Sequence, residues 1–213
     1  MNLRTVNLAL CLYSLCIATA YAQVNFVVPP DEKVEGLSQA EWSRAWWQWA
    51  GSFNQRKSPL TDKTGALCGQ KQAGPVWFLA GAYGTERTVK ACTLPRGKYV
   101  FLPLINYVAK PSAGKPAGCD AMTSEAARVT EEVSSLAFDA DAFKIPDLAS
   151  YRQATPECFD MGALAKPKVR IYPSAGNGYY VMLRPMPPGT HTLNYSGSLP
   201  NMNQSVTYIL TVQ

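Results

Sequence analysis

The stretch GYYVMLRPMPPGTHTLNYSGSLPNMNQSVTYILTV, residues 178–212, decides the fold class. Gly178 to Arg184, His191 to Tyr195 and Ser205 to Val212 are rich in Tyr, Val, Ile, Leu and Thr, the residues that suit a pleated, half-buried surface. Pro185 to Gly189 and Gly197 to Asn203 read as the turns between them. Working towards the N-terminus, Lys168 to Tyr172, Lys98 to Val108, Arg87 to Leu94 and the apolar run Pro75 to Gly81 read as further strands. Pro103 lies inside one of them and implies an edge or a bulge, because proline has no N–H to donate to a ladder. Seven or more short strands with frequent turns predict a mainly β chain, a β-sandwich of jelly-roll or immunoglobulin-like type.

Two helices interrupt this pattern. Ser38-Gln39-Ala40-Glu41 is a capping box, in which Ser and Glu satisfy the free amides of a helix start. Trp42, Trp46, Trp49 and Phe53 then fall on one helical face, suited to covering a sheet. Trp47 lies off that face and is the better candidate for ligand contact. Thr123 reads as the cap of a second helix with Ala126, Val129, Val133 and Leu136 on its apolar side. This helix belongs to an insertion of about 110–165 within a single domain, 23–213.

The first 22 residues read as a secretory signal peptide. Arg4 supplies a positive start, Leu8 to Ile17 an apolar run too short to span a bilayer, and Ala20-Tyr21-Ala22 a signal-peptidase site with cleavage after Ala22. The expected location is periplasmic or secreted, with no integral membrane segment afterwards. Four cysteines remain, and an even number in an exported chain implies two disulfides. Three connectivities exist; Cys68–Cys92 and Cys119–Cys158 are favoured because each pair brackets one contiguous stretch. No Cys-x-x-Cys spacing and a single His argue against a zinc site, and no metal or cofactor is expected. Charged residues are only 16% of the 213, against a net charge of +5. The basic residues are dispersed rather than striped, which argues against nucleic-acid binding.

Several motifs occur in a specific order: the paired helical Trps, Asp62 to Cys68 (Asp-x-Thr-Gly-x-x-Cys), Gly74 to Gly81 (Gly-Pro-Val-Trp-Phe-Leu-Ala-Gly), Arg87 to Lys98, Gly178 to Leu183, Pro187 to Leu193 and Val206 to Tyr208. The set resembles a family of exported bacterial proteins of unknown function. The resemblance implies export, a bacterial source and a β-rich fold, and it supplies no catalytic residues.

Chemistry-bearing residues are few. Asp62-Lys63-Thr64-Gly65 reads as an Asx-type turn rather than a phosphorylation or protease motif. His191 is the only histidine, the only side chain whose ordinary pKa lies near neutrality, and a candidate general base with Asp62, Glu86 or Asp160 as its orienting partner; a carboxylate pair brought together by the fold is the other candidate. No nucleophile elbow accompanies the histidine. Glu131 and Glu132 are adjacent on a helix and point apart, so they cannot act as a paired acid and base. Tyr179 and Tyr180 must face opposite sides of a strand, which leaves one of them exposed. With Trp47 and His191 they form the candidate ligand contacts. The expectation is an exported, non-catalytic binding or envelope-associated protein, recognising a glycan or another envelope component. The alternatives are a secreted hydrolase of glycans or esters and a structural subunit assembling through sheet edges.

Overall fold

A computed structural model describes residues 26–82, 86–112, 118–141 and 143–213. The expected signal peptide therefore lies outside the described residues. In chain order the elements are β1 (Val27–Val28), α1 (Gln39–Gly51), β2 (Val76–Phe78), β3 (Thr88–Leu94), β4 (Tyr99–Ala109), α2 (Cys119–Glu131), β5 (Ser135–Ala140), β6 (Phe143–Lys144), β7 (Arg152–Ala154), β8 (Ala175–Leu183), β9 (Gly189–Leu199) and β10 (Met202–Val212). They form two sheets. Sheet one runs β1-β8-β4-β2, with β7 also paired to β8; sheet two runs β3-β10-β9-β5-β6. Most pairings are antiparallel, but β2–β4 and β3–β10 are parallel.

The sheets pack face to face over a shared core that includes Leu102, Leu104, Val181 and Leu183 from sheet one and Leu193, Tyr195, Tyr208 and Leu210 from sheet two. The other face of sheet one is covered by the helices. Ser38 caps α1 as its sequence predicts: its Oγ accepts from Glu41 N at 3.2 Å and its N–H donates to Glu41 Oε2 at 2.8 Å. Trp42, Trp46 and Trp49 then pack on Val76, Phe78, Phe101 and Tyr180, each buried ring stabilising by about 1.5–3 kcal/mol. Beside α1, Met122 and Ala126 of α2 pack on Ala109 and Ala175.

A sheet covered on both faces explains one departure from the sequence reading. All nine residues of β8 are buried, so neither Tyr179 nor Tyr180 is exposed. Strand alternation does put them on opposite faces, but each face meets protein. Trp47, set aside as off the core face, is likewise only 7% exposed.

The middle of the chain contributes more β structure than its Pro and Asp content suggests. β5 pairs with β9 over six residues and β7 with β8 over three. Lys168 to Tyr172, in contrast, is not a strand. Its Ile171 N–H donates to Asp160 Oδ1 at 2.8 Å and its Ile171 carbonyl accepts from Met161 N at 3.1 Å, which folds the segment back on a neighbouring loop. Both favoured disulfides are present, Cys68–Cys92 and Cys119–Cys158, with Cα–Cα separations of 5.9 and 5.8 Å. Among the described residues, no helix is long and apolar enough to cross a membrane.

Candidate functional site

Pro103 marks where the site begins. The β4–β8 register shifts between Pro103 and Ile105, the bulge its sequence implies. On the opposite side, β2 pairs with β4 only through Tyr99–Phe101. Past Phe78 the chain leaves β4, and side-chain donors take up its carbonyls. Trp46 Nε1 donates to Leu79 O at 2.9 Å, Tyr208 and Tyr195 hydroxyls to Ala80 O at 2.9 and 3.2 Å, and Lys90 Nζ to Gly81 O at 2.6 Å. This is why the apolar run Pro75 to Gly81 is a strand for only three residues. Its second half is held by donors from α1 and sheet two instead of a neighbouring strand.

The divergence opens a cleft of about 560 Å³. Its floor is β4 from Ile105 to Val108. One wall is the end of α1 with Trp47, Ala50 and Phe53; a second is the loop Ser58–Thr61 with Ala82. Met161 and Ile171, with Met202 and Gln204 of β10, complete the lining. Lys110 is the charged residue among those lining it. The lining is mostly apolar with a few polar groups, the composition of small-ligand and peptide sites of this size.

Trp47 is the one expected ligand residue that reaches this cleft. Its ring lies across β8 above Gly176, where a Cβ would come within 2.6 Å of Trp47 Nε1. Only glycine permits that approach. Trp47 Nε1 donates to the Tyr180 hydroxyl at 3.0 Å, and Asn106 Nδ2 donates to the same oxygen at 3.2 Å. Burial raises the Tyr180 phenol well above its ordinary pKa, against the pull of these two donors. Tyr180 therefore supports the cleft from beneath. Tyr179 faces the core between the sheets.

His191 sits elsewhere, on β9 at the tip of the β5–β6 hairpin. Its Nδ1 lies 2.5 Å from Asp141 Oδ2 and its Nε2 lies 2.9 Å from Pro187 O. A carboxylate and a carbonyl both only accept, so this pair of contacts favours the protonated ring, in which both nitrogens donate. Burial opposes that charge, but the Asp141 and Pro187 contacts outweigh it and raise the pKa. A doubly donating ring has no lone pair with which to act as a general base. Its partner is none of Asp62, Glu86 or Asp160. Asp141 also accepts from Thr192 N at 2.7 Å, so this group clasps the hairpin to β9.

Asp62 makes the turn that its motif predicts. Oδ1 accepts from Thr64 N at 2.8 Å and Thr64 Oγ1 at 2.7 Å, and Oδ2 from Leu67 N at 2.8 Å. Burial works to raise its pKa, and these hydrogen bonds more than offset it and hold the carboxyl low. Behind the turn lies Lys90, fully buried, with Nζ donating to Pro59 O at 2.9 Å as well as to Gly81 O. Burial lowers the Lys90 pKa to about 8, with the Asp62 carboxylate pulling it upward.

Sequence reasoning missed Asn106, Val108 and Lys90, and gave Asp141 no part in holding His191. Pro103 was the available signal for the first two, since a bulge next to a short partner strand leaves an edge free. Lys90 and Asp141 carried none, because their partners are distant in sequence. Among the described residues, no group of three or more His, Cys, Asp or Glu is placed to hold a metal.

No family model and no curated protein matches the chain. Among solved structures, one described as PbICP-C in complex with falcipain-2 aligns with 66% of this chain and 100% of its own, at 11% identity and a TM-score of 0.30. The solution structure of Amebosin aligns with 61% of this chain and 99% of its own, at 12% identity and a TM-score of 0.21. Likeness at this level carries no argument about what the chain does.

Proposed function

We propose that the chain is an exported, non-catalytic binding protein of the bacterial envelope or exterior, and that its ligand seat is the cleft over β4. The observation that carries this reading is the cleft itself: about 560 Å³, lined by Trp47, Phe53 and Leu60 together with β4 from Ile105 to Val108. Export is supported by the two disulfides, which persist in oxidising compartments. The two-sheet stack is read as a β-sandwich of jelly-roll or immunoglobulin-like kind. A glycan platform has less support, because the rings of Trp42, Trp46, Trp47 and Trp49 are spent on the core at no more than 9% exposure.

The test uses an apolar fluorophore, 8-anilinonaphthalene-1-sulfonate, with energy transfer from the tryptophans of α1, Trp46 and Trp47 of the cleft lining among them, as the signal. At 100 times its dissociation constant a ligand stabilises the fold by about 2.7 kcal/mol, roughly a 5–10 °C rise in Tm at this size. Ala82→Trp fills the cleft and is expected to abolish both signals while leaving the protein folded. Equal binding by folded Ala82→Trp would place the fluorophore elsewhere and defeat the reading.

A further inference from the structure

The floor of the cleft shows what kind of ligand it suits. Val108 lies opposite Gly176 in the β4–β8 ladder. Gly176 spends both its backbone groups on the other side: its carbonyl accepts from Thr155 N at 2.8 Å and its N–H donates to Thr155 Oγ1 at 3.1 Å. In an antiparallel ladder, opposed residues either exchange both hydrogen bonds or neither. The Val108–Gly176 pair therefore exchanges none, and Val108 turns its N–H and C=O away from β8. Asn106, two residues earlier, does the same by the alternation of the strand.

That side of β4 is the cleft. β2 has already ended its pairing at Phe101, and neither residue's backbone finds a partner among the described residues. Backbone groups in an apolar, half-enclosed setting require hydrogen-bond partners. Two donor–acceptor pairs two residues apart, about 6.8 Å along one strand, match the repeat of another extended chain. Compact ligands lack that repeat.

We propose that the cleft binds an extended, predominantly apolar peptide segment of a partner protein, which adds as a strand to the free edge of β4 at Asn106 and Val108. This rests on the cleft being the ligand seat. Main-chain hydrogen bonds to β4 supply affinity, and side chains at alternate positions enter the space between Phe53, Leu60 and Met202. Lys110, the charged residue in the lining, disfavours basic segments.

The experiment pans a displayed library of random decapeptides on the folded protein, with Ala82→Trp as counter-selection. An enriched peptide is then measured by fluorescence anisotropy against wild type and Val108→Pro. Proline at 108 removes an N–H that the ladder does not use, so β4 stays paired to β8 while its open edge loses a donor. The expected result is an apolar, non-basic consensus of period two and at least tenfold weaker binding to Val108→Pro. Independently of any protein variant, N-methylation of the enriched peptide at every second amide weakens binding at least tenfold in one register and leaves it unchanged in the other. Peptides that bind Val108→Pro equally well, or that tolerate N-methylation in both registers, overturn the strand-addition proposal. A wild type that binds the fluorophore in the cleft but enriches no peptide also overturns it, with the cleft reading intact. Binding of neither fluorophore nor peptide overturns both.

Discussion

Two strand edges in this molecule receive opposite treatment. The outer edge of β3 is sealed. Ala91 N–H donates to Thr64 O at 2.8 Å, Asp62 holds the turn that brings Thr64 there, Cys68–Cys92 ties the turn to the strand, and buried Lys90 anchors the adjoining loop at Pro59. At the far side of sheet two, the His191–Asp141 clasp holds the β5–β6 hairpin against β9. Among the described residues, the β4 edge past Phe101 has no partner strand, and apolar side chains of the cleft flank it. Open edges invite pairing with other chains, and proteins ordinarily blunt them. An edge without a partner strand inside a cleft, beside a β3 edge pinned by a turn and a disulfide, is where the proposed strand addition would take place.

The largest way to break the contrast is to unseal β3. Removing the 68–92 bridge with Cys68→Ala and Cys92→Ala is expected to cost about 3 kcal/mol, from the loop it closes. Concentration-dependent association should follow, read by urea melts and sedimentation; a monomer of unchanged stability would mean that the turn seals the edge without the bridge.

Gly65→Ala attacks the same seal more locally. Gly65 has φ +87°, and a Cβ there would lie 2.2 Å from Ala91 O. A left-handed non-glycine residue costs about 1–2 kcal/mol by itself, and the clash adds to it. Thermal melts should show a loss of about 2 kcal/mol, without the association expected of the bridge mutant if the disulfide still holds the turn.

Lys90 makes the seal sensitive to pH. Its folded pKa, about 8, is below its ordinary 10.5, so between those values the unfolded chain binds more protons and stability rises with pH. The buried Tyr180, Tyr195 and Tyr208 have raised pKa values and reverse the trend above pH 10, where the unfolded chain loses protons that the fold retains. The net rise between pH 8 and 10 is on the order of 1–2 kcal/mol. Lys90→Met should flatten it, and a rise that persists in the variant would remove Lys90 as its source.

The smallest expected effect is at the hairpin. The His191 pKa is raised, so its stabilisation is complete below pH 6.5 and is lost as pH climbs through the folded value. Asp141→Asn should abolish that dependence and cost about 1 kcal/mol near pH 6. Imidazole NMR shifts that titrate at the ordinary value in the wild type would rule out the clasp.

Much of the fold is legible in local pattern. The capping box of α1, the Trp face, the bulge at Pro103, the turn at Asp62 and the strand runs of the C-terminal third depend on neighbours within a few residues, so the chain announces them. The candidate site is far less legible. Trp47, which lies off the helical face, does reach the cleft, but Tyr179, Tyr180 and His191, whose chemistry suits ligand contact, are occupied by the core or the clasp. The open amides of Asn106 and Val108 have no residue-type signature, since every residue except proline carries the same backbone groups.

The sequence by itself determined the mainly β class, the capped Trp helix and the Asp62 turn, because these follow from periodicity and capping along the chain; it favoured one of three cysteine pairings, and the structure decided among them. Only the tertiary structure decided that β8 is buried on both faces, that β2 ends three residues into its pairing with β4, and that Lys90 and His191 are bound by partners far away in sequence. Those outcomes depend on which surfaces meet after folding, and burial and unmet hydrogen bonds are properties of that meeting rather than of any one segment.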